Sequence, residues 1–100
     1  AAYGNIFWVR DGFLCTRNNQ ILEGITRATV LTLVQEMNIP LRFESITPEE
    51  LSQCDECFLT KSTTGISPII SINNSLIGSG KIGAMTKMLM EKYEERRIKE

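Results

Sequence analysis

Apolar and polar positions are arranged with strand-like periods in the first part of the chain. Ile6-Phe7-Trp8-Val9 is a continuous β-prone run, and Asp11-Gly12 behind it is a strong two-residue hairpin signal before Phe13-Leu14-Cys15. Thr16 to Gln20 is polar and reads as loop. From Thr26 the period changes: Val30, Leu33, Val34 and Met37 recur at helical spacing, and Asn38 with Pro40 ends that helix. Leu41-Arg42-Phe43-Glu44-Ser45 alternates like a strand with one wet face. Thr47-Pro48-Glu49-Glu50 starts a short helix, with a hydroxyl cap, Pro in the first turn and a Glu reaching back.

Cys57-Phe58-Leu59-Thr60 has the look of a buried strand, and Lys61-Ser62-Thr63-Thr64-Gly65 of a hydroxyl-rich loop behind it. Pro68 to Ile72 and Ser75-Leu76-Ile77 flank Asn73-Asn74, a second hairpin signal. Gly78 to Gly83 is loose, after which Ile82, Met85, Leu89 and Tyr93 trace one helical face down to a charged, solvated tail. The order β-β-α-β-α-β-β-β-α, with neither repeat nor linker, describes one α/β unit over residues 1–100.

Composition narrows the function classes. With 42% hydrophobic and 23% charged residues the chain is too apolar for disorder, and a net charge of −1 offers nothing to a nucleic acid. No apolar run reaches bilayer length, and no signal-peptide pattern opens the chain. The absence of histidine removes Ser-His and Cys-His catalysis and every His-ligated metal site. Three cysteines leave one thiol over, so they make no disulfide framework, and reduced thiols point to a cytoplasmic setting. Ala1-Ala2-Tyr3-Gly4 opens without an initiator Met, and more protein is expected upstream.

Two segments have the chemistry of an anion site. In Leu22-Glu23-Gly24-Ile25-Thr26-Arg27 a loop turns into the first long helix, whose free backbone N–H groups and positive end suit a phosphate, and Gly24 allows close approach. Ordinary helix capping is the plain reading of the same residues. The second segment, Ser62-Thr63-Thr64-Gly65, places three hydroxyls at a strand's carboxyl end, where open α/β sheets hold ligands. Its plain reading is a turn using Ser and Thr for local bonds.

Other motifs carry less. Gly78-Ser79-Gly80-Lys81-Ile82-Gly83 is a literal GxGxxG, but a dinucleotide fold needs a further strand with an acidic end after the helix, so these read as turn glycines. Cys54-Asp55-Glu56-Cys57 is a CxxC with only Cys15 left to complete a zinc site, and it enters a strand rather than a helix. Its cysteines read as buried or half-buried apolar groups. Arg96, Arg97 and Lys99 make a solvated basic helix end among glutamates.

These pieces, in this order, resemble the C-terminal domain of the fold-type IV pyridoxal-phosphate enzymes, which include branched-chain and D-amino acid aminotransferases, R-selective amine transaminases and aminodeoxychorismate lyases. The resemblance runs from Gly4-Asn5-Ile6-Phe7 to the last helix. It rests on Leu22 to Arg27 (like L-x-G-I-T-R), Asp55-Glu56-Cys57-Phe58 (like D-E-V-F), the Ser/Thr loop leading to Ile66-Ser67-Pro68-Ile69, and Ile77 to Gly83. It implies an α/β fold with a mixed, partly barrel-like sheet, two main helices and one short one.

The resemblance also implies a site built around pyridoxal 5'-phosphate. The amides of Ile25 and Thr26, with Gly24 before them, would hold the phosphate; Ser62 falls where the family has a Thr hydroxyl on the same group. Leu22 would pack on the pyridine ring, and Thr63 and Thr64 would sit beside the substrate carboxylate or leaving-group pocket. The family's Schiff-base lysine lies upstream of the Gly-Asn-Ile-Phe block, whereas Lys61, Lys81, Lys87, Lys92 and Lys99 all follow it. The glutamate that pairs with the pyridine nitrogen would fall just before Ala1, and the phosphate-binding arginine belongs to the N-terminal domain.

The reading that follows is the C-terminal, large-domain part of an aminotransferase acting on an amino acid (branched-chain, D-amino acid or amine) and a 2-oxo acid. The hundred residues are expected to be inactive alone and the whole protein to be a cytoplasmic homodimer. The L-x-G-I-T-R block leans to a transaminase over a C–C lyase of the same fold. Two other readings stay open: a non-catalytic phosphate- or nucleotide-binding module, and a structural piece whose open sheet edges promote self-association.

Overall fold

The computed structural model describes residues 5–17, 25–61 and 65–99. Ten elements follow in chain order: β1 (Asn5–Arg10), β2 (Phe13–Thr16), α1 (Ile25–Glu36), β3 (Leu41–Phe43), α2 (Pro48–Leu51), β4 (Glu56–Lys61), β5 (Gly65–Pro68), β6 (Ser71–Ile72), β7 (Ser75–Leu76) and α3 (Ala84–Lys99). Five strands form one mixed sheet in the order β3-β2-β1-β4-β5, and β6 with β7 makes a separate hairpin. β1 is antiparallel to β2 and β4, β4 is antiparallel to β5, and β3 joins β2 in parallel through the α1 crossover. The edges β3 and β5 do not pair, so among the described residues the sheet is open rather than a closed barrel.

The continuous apolar run in β1 is explained by burial on both faces of the sheet. Phe7 and Val9 face α1 and α3 together with Leu14, Val30, Leu33, Val34, Phe58, Ile66 and Leu89. Trp8 faces the other way, with Cys15, Ile46, Leu51, Cys54, Cys57 and Ile77 under α2 and the β6–β7 hairpin. Phe7 stacks on Phe58 with ring centroids 5.0 Å apart, and burying each such ring contributes about 1.5–3 kcal/mol.

Turns and caps follow local chemistry. Asp11 (φ 54°) and Gly12 (φ 81°) form the two-residue turn between β1 and β2, and Asn73 (φ 50°) with Asn74 (φ 67°) forms the one between β6 and β7. Helix α1 closes in a left-handed cap at Asn38 (φ 56°), where Ile39 N–H donates to Val34 O at 3.0 Å and Asn38 N–H to Gln35 O at 3.2 Å. At α2 the capping box is complete: Thr47 Oγ1 accepts from Glu50 N–H at 3.2 Å, and Thr47 N–H donates to Glu50 Oε1 at 3.0 Å.

Four expectations are corrected. Thr16 is the last residue of β2, not loop: it is buried, pairs with Phe43 and donates its hydroxyl to Ile6 O at 2.8 Å. Residues 65–68 form a strand returning along β4, and the run expected as one strand over 68–72 breaks at Ile69 and Ile70. Ile82 precedes α3 and is 48% exposed, so the helix buries Met85, Thr86, Leu89, Met90 and Tyr93 to differing degrees without it. Phe43, on the Leu41 face of edge strand β3, is 52% exposed.

The GxGxxG segment is shaped by β4. Glu56 sends its carboxylate to the first turn of α3, where Oε1 accepts from Thr86 N–H (2.7 Å) and Thr86 Oγ1 (2.8 Å) and Oε2 from Met85 N–H (3.2 Å). A Cβ on Gly83 would lie 2.0 Å from Glu56 Cδ, and one on Gly78 (φ 58°) would lie 2.3 Å from the Asp55 carbonyl oxygen. Both positions are glycine because Asp55-Glu56 occupies the space. Gly12 has the same positive φ with nothing within 4 Å of a Cβ. We therefore expect Gly12→Ala to cost about 1 kcal/mol and Gly78→Ala or Gly83→Ala about 2–4 kcal/mol in urea denaturation; equal costs for all three would refute the packing explanation.

Candidate functional site

Because β1 runs antiparallel to both β2 and β4, the latter two point the same way and end at one edge of the sheet. The first turn of α1 lies at that edge. Its leading N–H groups have no partner within the helix, they carry its positive end, and no acidic side chain occupies the turn.

Three consecutive residues fix the turn. Ile25 is 80% exposed, while Thr26 and Arg27 are buried. Thr26 Oγ1 donates to Lys61 O at the end of β4 (3.0 Å), and Arg27 Nη2 donates to Arg17 O just beyond β2 (2.9 Å). From α3, Tyr93 Oη lies 3.4 Å from Thr26 Oγ1. A hydroxyl has one proton, and that of Thr26 goes to the Lys61 carbonyl, so in this contact the phenol donates. Thr26, itself buried, therefore turns its hydroxyl into the fold. Gly65 (φ 74°), the first residue of β5, lies against the Tyr93 ring: a Cβ there would stand 2.7 Å from Cε2.

Of the residues predicted for the site, the structure describes Ile25 and Thr26 and places both at the sheet edge. Leu22, Gly24, Ser62, Thr63 and Thr64 lie outside the described residues. The flanks of the two segments are nonetheless brought together, since Thr26 of the first bonds Lys61 at the start of the second. Sequence reasoning gave no role to Arg27 and saw Tyr93 only as a core-facing position. Neither has a local signal, because their partners lie 10 and 67 residues away.

The cysteines are elsewhere. Trp8 pairs with Cys15 on β2 and with Cys57 on β4, and Cys54 packs into the same cluster, all three thiols being buried and free of disulfides. This agrees with their reading as apolar core groups. Burial pushes the Cys57 thiol up from 9.0 to about 12 and that of Cys15 to about 11. At pH 8 the thiolate fraction of Cys57 is then on the order of 10⁻⁴, so native Cys57 should resist iodoacetamide and react once urea is added. An unfolded thiol ionises near pH 9 while the folded one keeps its proton. Stability is thus unaffected by Cys57 below pH 9 and falls from there towards pH 12, by up to about 1.4 kcal/mol per pH unit. Denaturation of the wild type and Cys57→Val from pH 7 to 11 checks this: the variant should lose part of the alkaline decline.

Comparison with known proteins identifies what this chain is similar to. The family model described as Amino-transferase class IV matches residues 1–72. The D-alanine aminotransferase of Staphylococcus haemolyticus is 34% identical over 96% of this chain and 36% of its own length; the probable branched-chain-amino-acid aminotransferase of Aquifex aeolicus is 41% identical over 89% and 30%. Among solved structures, the branched-chain amino acid aminotransferase from Escherichia coli superposes with a TM-score of 0.84 at 31% identity, covering 91% of this chain and 32% of that one. The branched-chain aminotransferase of Thermoproteus uzoniensis with norvaline gives 0.83 at 40% identity, over 92% and 31%. The chain spans about a third of the length of the curated relatives it matches.

Proposed function

This chain belongs to the amino-transferase class IV family, and from that premise we propose that it forms the C-terminal, large-domain part of a pyridoxal-phosphate-dependent aminotransferase. The observation that carries the proposal is the first turn of α1 at the sheet edge. It has amides left over by the helix, no carboxylate, a neighbouring buried arginine and a threonine hydroxyl turned back into the fold. That donor set fits a dianionic phosphate.

In this reading Ile25 and Thr26 bind the phosphate through their amides, Gly24 permits the approach and Ser62 adds a hydroxyl. Leu22 packs on the ring, and Thr63 and Thr64 orient the substrate carboxylate. When bound, pyridoxal phosphate supplies the electron sink for moving an amino group between an amino acid and a 2-oxo acid. The chain's own part is to bind and orient. Every lysine of the sequence follows the Gly4–Phe7 block, the wrong side for the family's proton-transfer lysine, so these residues alone should not turn over. The names of the relatives, aminotransferases for D-alanine or branched-chain amino acids, favour a transaminase over the lyase. Homodimer assembly belongs to the same proposal, as does the cytoplasm, with which the three free thiols are consistent.

Titration with pyridoxal phosphate followed by borohydride trapping and peptide mapping tests the proposal. We expect binding that inorganic phosphate competes away, with no stoichiometric lysine adduct; a single trapped adduct at Lys61 would mean that the chain builds a lysine site of its own. The sharper variant is Ile25→Pro. Proline is tolerated in the first helical position and removes one N–H, so the fold should persist while phosphate binding weakens about 10- to 100-fold, as for one hydrogen bond to a charged group. Unchanged binding in that variant would remove the Ile25 amide from the site.

A further inference from the structure

We propose that Tyr93 is a positioning residue for the phosphate end of the site. From α3 it sets the first turn of α1 against the ends of β4 and β5, and that spacing governs phosphate affinity. The inference rests on the reading that the α1 amides receive the cofactor phosphate.

One side chain touches residues on both sides of the 62–64 segment. The Tyr93 ring lies against Gly65, where it leaves no room for a Cβ. Its hydroxyl donates to Thr26 Oγ1 (3.4 Å), which donates in turn to Lys61 O (3.0 Å). The chain phenol to threonine to carbonyl has a single direction, and each donor strengthens the next. Moving Tyr93 would therefore shift Thr26, whose amide is a ligand, together with the two strand ends that flank the hydroxyl loop. Tyr93 is itself held from both sides along α3. Glu56 grips the first turn at Met85 and Thr86, and Arg96 Nη2 reaches Glu36 Oε1 of α1 at 2.5 Å.

A purely packing role makes a different prediction. Tyr93 is partly buried against the α1–α3 core, and if only its ring matters, Tyr93→Phe is silent everywhere. The test is to measure the dissociation constants of pyridoxal phosphate, unphosphorylated pyridoxal and inorganic phosphate for the wild type, Tyr93→Phe, Thr26→Val, Thr26→Ser and the double variant Tyr93→Phe/Thr26→Val, with urea midpoints alongside. Tyr93→Phe should weaken both phosphate-bearing ligands about three- to tenfold, leave pyridoxal unchanged and keep the midpoint. Thr26→Ser should bind like the wild type. In the Thr26→Val background the Phe substitution should cost nothing more, since its effect passes through the missing hydroxyl.

Wild-type-like phosphate binding in Tyr93→Phe overturns the positioning role, as does an equal loss in the Thr26→Val background. Failure of the underlying reading looks different. A wild-type protein that does not distinguish pyridoxal phosphate from pyridoxal has no phosphate site at all, and the Tyr93 inference falls with it.

Discussion

Glu56 stands at the first position of β4 and ends its side chain on the first turn of α3, and this carboxylate anchors the start of that helix. Its two oxygens take three donors from Met85 and Thr86, satisfying groups that a helix start leaves open and meeting the positive end of its dipole. The contact fixes the rotation of α3 as well as its position. With Thr86 turned to Glu56, Leu89 falls into the core and Tyr93, two turns from Thr86 on the same side, falls at Thr26 and Gly65. Gly83 serves the same contact, since a side chain there would collide with Glu56, and Gly78 leaves room for the neighbouring Asp55 carbonyl. The strand that begins with the anchor ends with the Lys61 carbonyl that receives Thr26. β4 thereby links the two ends of the arrangement through six residues of rigid sheet.

Burial on both faces leaves such a sheet little choice about where to put polar chemistry. α1 and α3 cover one side, and α2 with the β6–β7 hairpin covers the other. The row Cys15, Trp8, Cys57 across three neighbouring strands is buried, and the raised Cys57 thiol is one consequence of that desolvation. Groups that must meet a charged ligand are confined to the ends of the strands. There the backbone turns outward and a helix start contributes donors without the cost of desolvating a side-chain charge.

What was legible in the sequence was local. Asp11-Gly12, Asn73-Asn74, Asn38 before Pro40 and the Thr47–Glu50 box each complete their interactions within a few residues, so their chemistry is visible in a short window. Thr16 was missed because a hydroxyl ahead of a polar run resembles loop when its parallel partner, Phe43, lies beyond the next helix. β5 was missed, although β4 lies just upstream, because the Ser/Thr run and Gly65 at its start resemble a loop. Glu56 and Tyr93 were placed in a motif and on a helical face, but their polar contacts were missed for a stronger version of the reason that applies to Thr16. Their partners are 29 to 30 and 67 residues away, beyond any periodicity or cap signal. At the site itself, the helix start was found from Gly24 and Thr26, but the division of labour within it was not, because that depends on which carbonyl the threonine hydroxyl meets.

That division gives a physical account of the Ile-Thr-Arg order. The three side chains have three different tasks: Ile25 stands in the open, Thr26 is bonded to the exit of β4, and Arg27 is bonded to the exit of β2. A helix start held only by its own caps would fray, and frayed amides bind anions poorly because ordering them costs conformational entropy at the moment of binding. Here the Thr26 hydroxyl and Arg27 Nη2 bond to the fold, which in the proposed phosphate site would order the amides before a ligand arrives. Serine could keep the threonine's bond, and valine would keep its shape and lose the bond. In the proposed phosphate site, position 26 therefore calls for a hydroxyl that meets the Lys61 carbonyl, which holds the amide of the same residue in place at the helix start.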